Sequence, residues 1–152
     1  MSMTKSELIG KMREKGASDA LDLRTKAAAN KYTNTEIIDR EEAIPAFNGQ
    51  KDYSNAPVGT PVKDGEQVYG LIQPYNAANY SGTPATLPAI WGLKYTKNPA
   101  KAKPYVQPQG TSGMYMKDEC CLWTDGNVYI SKVDNNVYSP SDYATNWTVY
   151  TP

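Results

Sequence analysis

One order of residues occurs twice in this chain, and it limits the folds open to it. Asp64-Gly65-Glu66-Gln67-Val68-Tyr69 aligns with Asp125-Gly126-Asn127-Val128-Tyr129 when one residue of slip is allowed. Each copy reads as a turn dipeptide feeding a strand, with Val and Tyr on opposite faces. Val58 to Val62 precedes the first copy, and Tyr115 to Trp123 precedes the second. Each copy then runs into an Asn-rich loop, Asn76 to Asn79 or Asn135-Asn136. A proline follows (Pro84 and Pro88, or Pro140), and a tryptophan closes the unit, Trp91 or Trp147. A repeat of this kind predicts two small related β modules.

Composition sharpens the boundary in front of them. Residues 1–47 hold 16 of the 32 charged side chains, while 14 of the 16 aromatic residues and 10 of the 11 prolines lie beyond residue 47. Charge-rich, aromatic-poor sequence before that point reads as helix. Thr4 and Glu7 have capping-box spacing, with Leu8, Ile9 and Met12 following at helical period. Ser18 caps a second candidate helix through Leu21, Leu23 and Ala27 to Ala29. Thr33 and Glu36 repeat the capping box before Ile37, Ile38 and Ile44, and Pro45 ends the third helix. Pieces this short do not build a core alone, so their apolar stripe is expected to dock or to oligomerise.

The fold class expected is therefore mainly β: a short helical N-terminal segment followed by two small related antiparallel β modules. Residues 1–47 form the docking segment and 48–96 the first module. Residues 97–104 read as an extended, proline-bounded linker, and 105–152 as the second module. Gly110 to Gly113 reads as a turn between the linker and the second module. Trp91 and Trp147 are expected as core plugs.

The chemistry readable from the residues is thin. The chain has no histidine, which removes the usual general base near neutral pH and every Ser/His or Cys/His arrangement. Asp118 and Glu119 are neighbours that a strand sends to opposite faces, so they read as a solvated strand edge. Glu41-Glu42 read as a wet helix face. Cys120 and Cys121 are adjacent, and a vicinal disulfide is strained. One is expected in the core and the other outward. Two cysteines without histidine make a poor metal site. The sequence thus predicts no catalytic residues, no metal and no cofactor. Lys+Arg and Asp+Glu both number 16, so no net field draws nucleic acid. No apolar run is long enough to span a membrane.

The aromatics remain. The stretch Tyr115 to Cys120, followed by Asp125-Gly126-Asn127-Val128-Tyr129, Pro140 and Trp147, resembles the small chitin-type carbohydrate-binding modules of families 5 and 12. The resemblance covers residues 105–150, and residues 53–95 more loosely. The whole chain resembles tail or baseplate proteins of phages and prophages of Gram-positive bacteria, through Pro84 to Trp91 and Gly110 to Met116. It implies a virion structural component, made in the host cytoplasm, with other virion proteins or its own copies (a trimer among the options) as partners. The alternative it implies is a free-standing module that recognises cell-wall or chitin-like glycans. In the family, an exposed aromatic after the Tyr strand stacks on the sugar. The corresponding places here, near Gln73 and Lys132-Val133, are not aromatic. The role then falls to Tyr75 in the first module and to Trp123, Tyr138 and Tyr143 in the second.

Overall fold

The computed structural model describes residues 32–152. The helices expected after Thr4 and Ser18 lie outside the described residues. The third expected helix is present as α1, Asn34–Asp39, followed by a 3-10 turn, Glu41–Ala43. Its capping box is complete: the Glu36 amide donates to Thr33 Oγ1 (3.2 Å), and the Thr33 amide donates to Glu36 Oε1 (3.2 Å).

The rest of the described chain is mainly β, in two sheets. The first is a three-stranded antiparallel meander of β1 (Pro61–Asp64), β2 (Gln67–Leu71) and β3 (Trp91–Lys94). The second runs in the order β4 (Lys103–Pro104), β5 (Cys120–Leu122), β6 (Val128–Ser131) and β7 (Trp147–Val149). In it β5, β6 and β7 form an antiparallel meander, and β4 joins β5 in parallel.

The repeat seen in the sequence recurs in the strand register of the backbone. Val62, Tyr69 and Leu93 stand side by side across the first sheet, as do Cys121, Tyr129 and Val149 across the second. Trp91 opens β3 opposite Leu71, and Trp147 opens β7 opposite Ser131. Even the parallel arm is shared. Ala46 bridges Lys63 as Pro104 pairs Leu122. The residue of slip lies in the hairpin turns. Lys63 and Val68 are paired across four residues, whereas Leu122 and Val128 are paired across five.

Each module fills its core with aromatic rings. In the first, Trp91 meets Tyr53, Phe47 and Tyr75 edge-on, at centroid distances of 5.1, 5.7 and 6.0 Å. In the second, Trp147 meets Tyr115 and Tyr105 at 5.2 and 6.4 Å. Edge-to-face packing suits the ring quadrupole and fills a thin core with few side chains. Tyr53 and Tyr115 also play one role. Their hydroxyls accept from the backbone amides of Asn48 (3.0 Å) and Val106 (3.2 Å), so each ring is buried with its polar end bonded.

Three expectations change. The apolar stripe of the third helix is covered by the chain itself: Ile37, Ile38 and Ile44 pack on Val68, on the face of β2 opposite Tyr69. Each buried isoleucine contributes roughly 1.5–3 kcal/mol. The stretch read as a free linker is tied down. Lys103 and Pro104 form β4, Lys103 is bonded to Glu41, Lys101 lies 3.8 Å from the same carboxylate, and Asn98 donates to Asp39 (3.2 Å). Burial disfavours the Glu41 charge, but the bond and charge of Lys103 outweigh it and hold the carboxyl below its ordinary range. Glu41 is thus half-buried and paired, not wet. Finally, both cysteines are buried. Cys121 lies in the second core, and Cys120, on the other face of β5, donates its thiol to the Thr96 carbonyl (3.2 Å).

The repeat exposes a local strain. The Gly59 amide donates to Leu71 O (2.7 Å), and the Asp118 amide donates to Ser131 O (2.8 Å) in the same bend. Both residues are left-handed, with φ of 96° and 74°. Glycine adopts this conformation freely, whereas aspartate does so at a cost. Asp118→Gly is therefore expected to raise stability by about 0.5–1 kcal/mol, and Gly59→Ala to lower it by about 1–2 kcal/mol. Urea denaturation of the two variants checks both signs.

Candidate functional site

The loop between β6 and β7 carries the two exposed rings of greatest interest. Asn136 is its hub. This buried side chain donates to Ser131 Oγ (3.0 Å), and its Oδ1 accepts from the Tyr138 amide (3.2 Å) and from Asn146 Nδ2 (3.4 Å). Its backbone exchanges two hydrogen bonds with Tyr115. The Trp147 indole donates to the Tyr138 carbonyl (3.0 Å), so the core tryptophan also anchors the loop. Ser139 then starts a tight turn: its carbonyl accepts from the amides of Asp142 and Tyr143, both at 3.1 Å, around the buried Pro140.

On this braced backbone Tyr138 and Tyr143 are 51% and 49% exposed. Their centroids are 5.5 Å apart with planes 42° from parallel. The rings form a tilted aromatic pair, set on a scaffold that does not have to order itself before contact. Ser141, Asp142 and Asn146 supply hydrogen-bonding groups in the same loop. A pair of flat rings with polar groups beside them suits a ligand that is apolar on one face and hydroxylated at its edges.

The other residues singled out in the sequence are placed differently. Trp123 is half-buried at the β5–β6 hairpin, and its ring is packed edge-on against Tyr105 at 5.1 Å. Its amide donates to Asn127 O (3.0 Å), closing the turn. Tyr75 is not presented at all. It is 3% exposed, packed against Trp91, with its hydroxyl buried and unpartnered. Tyr75 takes this place because its carbonyl bonds the Tyr53 amide (2.7 Å) and draws the loop over the core. The exposed ring of that loop is Tyr80, 59% exposed and tilted on Tyr75 at 5.3 Å. Sequence reading missed Tyr80. The signal available was Asn76, which caps the single turn Ala77–Asn79 and releases Tyr80 beyond it.

The two modules differ at this site. In the first, the Thr86 amide bonds Thr83 O as the Asp142 amide bonds Ser139 O, and Pro84 is buried like Pro140. The positions matching Tyr138 and Tyr143 are Gly82 and Leu87, so the tyrosine pair belongs to the second module alone.

Glu119, expected on a solvated edge, is buried and accepts from the Met116 amide (2.7 Å). It occupies the place that Thr60 has in the first module, since the amides of Leu71 and Ser131 bond Thr60 O and Glu119 O respectively. Loss of solvent raises its pKa above the ordinary 4.5. The Met116 amide and the charge of Lys97 pull the other way, and Asp134 adds to the rise. The folded state therefore favours the protonated acid. Stability is fullest below the unfolded pKa and declines as pH rises through the folded one. Glu119→Gln keeps the acceptor oxygen and removes the charge. It is expected to be more stable than the parent at pH 7, with a flatter profile of Tm against pH above 4.5. Burial also pushes the thiols of Cys120 and Cys121 up to about 11 and about 12, so both stay protonated and weakly nucleophilic near neutrality.

Among the described residues, no cluster of three or more potential ligands is arranged to hold a metal ion. No helix among them is long and apolar enough to cross a membrane. No protein-family model matches the chain, and no curated protein matches it either.

Proposed function

We propose that the chain is a non-catalytic adhesion component of a phage tail or baseplate whose second module holds a surface carbohydrate. The observation that carries the carbohydrate part is the exposed pair Tyr138 and Tyr143 on a hydrogen-bonded loop. Rings held in place before binding lose little entropy on contact, which favours binding through them. The virion part rests on the resemblance of the whole chain to phage tail and baseplate proteins, and the carbohydrate part draws also on that of residues 105–150 to the small carbohydrate-binding modules. The test is binding of the full chain to immobilised cell-wall glycans and chitin fragments. Retention that Tyr138→Ala with Tyr143→Ala sharply reduces supports the reading. Retention that both substitutions leave undiminished refutes the assignment of the site.

A second reading is a purely structural role among virion proteins. β7 is an edge strand, with Val149 exposed on it and Tyr150 exposed just after it, and such an edge accepts an added strand. Light scattering distinguishes the two. A stable higher oligomer with no glycan retention favours assembly, and a monomer retained on glycan favours adhesion.

A further inference from the structure

A cleft of about 280 Å³ lies between the two modules, and neither Tyr138 nor Tyr143 is among its lining residues. From the first module Ile72, Pro88 and Leu93 form an apolar wall. From the second, Gln107, Gln109, Thr111 and Ser112 line the opposite side with amides and hydroxyls. The walls are braced across the gap, because Gln109 Nε2 donates to Ala85 O (3.2 Å). A second bond, from Gln67 Nε2 to Pro104 O (2.8 Å), ties the modules to one another.

Two properties of the cleft restrict what fits. Among the described residues, none that lines it carries a formal charge, although 21% of the chain is charged. An ionic ligand would lose its hydration there without a counter-charge. The cleft is also two-faced, apolar on one side and hydrogen-bonding on the other. Trp91 belongs to its lining, and the indole N–H of Trp91 is buried with no partner among the described residues. The matching indole of Trp147 is satisfied by the Tyr138 carbonyl. The first module thus lacks, beside this cleft, an acceptor that the second module has.

We infer that the inter-module cleft is a second binding site, for a neutral sugar of one or two rings. The CH face of such a ring covers Ile72, Pro88 and Leu93, and its hydroxyls meet Gln109, Thr111 and Ser112. The volume is close to the lower end of small-molecule sites, roughly 300 Å³, which suits a short ligand and excludes a long chain lying wholly inside. This inference rests on the carbohydrate reading of the protein but uses none of the residues of the tyrosine site.

The experiment is an NMR titration of the labelled full chain with N,N′-diacetylchitobiose, cellobiose and maltose. Two saturable groups of shifts are expected, one at Ile72, Gln109 and Ser112 and one at Tyr138 and Tyr143. Ile72→Glu changes a side chain that is 47% exposed, so the fold is expected to tolerate it. It sets a carboxylate in the cleft and should weaken the first group about tenfold or more, leaving the second unchanged. Ala85→Trp, which fills the cleft sterically, should do the same. Tyr138→Ala with Tyr143→Ala should have the reverse effect. Shifts at the tyrosines alone, with every sugar, overturn the cleft site and leave the proposed function standing. Shifts at the cleft alone overturn the tyrosine site and leave the cleft standing. Cleft shifts that persist in both Ile72→Glu and Ala85→Trp overturn the cleft assignment.

Discussion

Trp91→Ala and Trp147→Ala are each expected to cost about 3–5 kcal/mol, the range for removing a large aromatic from a core. Domains of this size are stable by about 5–15 kcal/mol, so either change brings the protein close to unfolding. The reason is the dependence of each thin core on one ring. Trp91 joins Phe47 from the parallel arm, Tyr53 from the preceding loop and Tyr75 from the following one. Trp147 does the same with Tyr105 and Tyr115. Remove the tryptophan and these rings face a void that the short strands cannot close.

Phenylalanine separates packing from hydrogen bonding. Trp147→Phe removes the donor to the Tyr138 carbonyl and should cost roughly 1 kcal/mol more than Trp91→Phe. Trp91→Phe removes an indole N–H that has no partner among the described residues, so its cost is packing alone. Guanidinium denaturation followed by far-UV circular dichroism measures both without relying on tryptophan emission. A larger cost for Trp91→Phe would contradict the energetic difference drawn between the two indoles.

The second large effect is on binding. Truncating an aromatic anchor at a contact surface commonly costs more than 1 kcal/mol. Loss of both Tyr138 and Tyr143 is therefore expected to weaken glycan affinity by roughly 100-fold, at about 1.4 kcal/mol per tenfold. Because both rings are about half exposed, the same double variant should keep a Tm close to that of the parent. Tyr80→Ala is the control: an exposed tyrosine in the first module whose removal should leave both affinity and Tm unchanged. Isothermal titration and thermal melts on the same samples give the comparison. If Tyr80→Ala weakens binding as strongly as the double variant, the site is not confined to the second module.

Much of the architecture was legible without coordinates because its signals are local. Asp64-Gly65 and Asp125-Gly126 specify turns through the left-handed freedom of their glycines, with φ of 60° and 85°. Thr33 and Glu36 specify a helix start through bonds spanning one turn. The order from turn to tryptophan identified two modules, and both tryptophans are buried where that order puts them. The strand equivalence of Gly59 with Asp118 was not legible, since the residue types differ and only the shared bend relates them.

What the sequence determined by itself, then, was the mainly β class, the hairpins, the helix cap and the tryptophan plugs, all set by bonds between near neighbours or by a repeated order. The tertiary structure alone decided which aromatics face water and which polar residues do not. Tyr75 and Tyr138 are the same residue type in corresponding loops, yet one closes a core and the other leaves it. Strand and helix alternation, which describes one element at a time, puts one of the two cysteines, Glu119 and Glu41 in water. Each became buried or half-buried because the chain folds back over the second face: Thr96 over Cys120, the Met116 bend around Glu119 and Lys103 onto Glu41. Alternation says which way a side chain points, and only the docking of distant segments says what lies there.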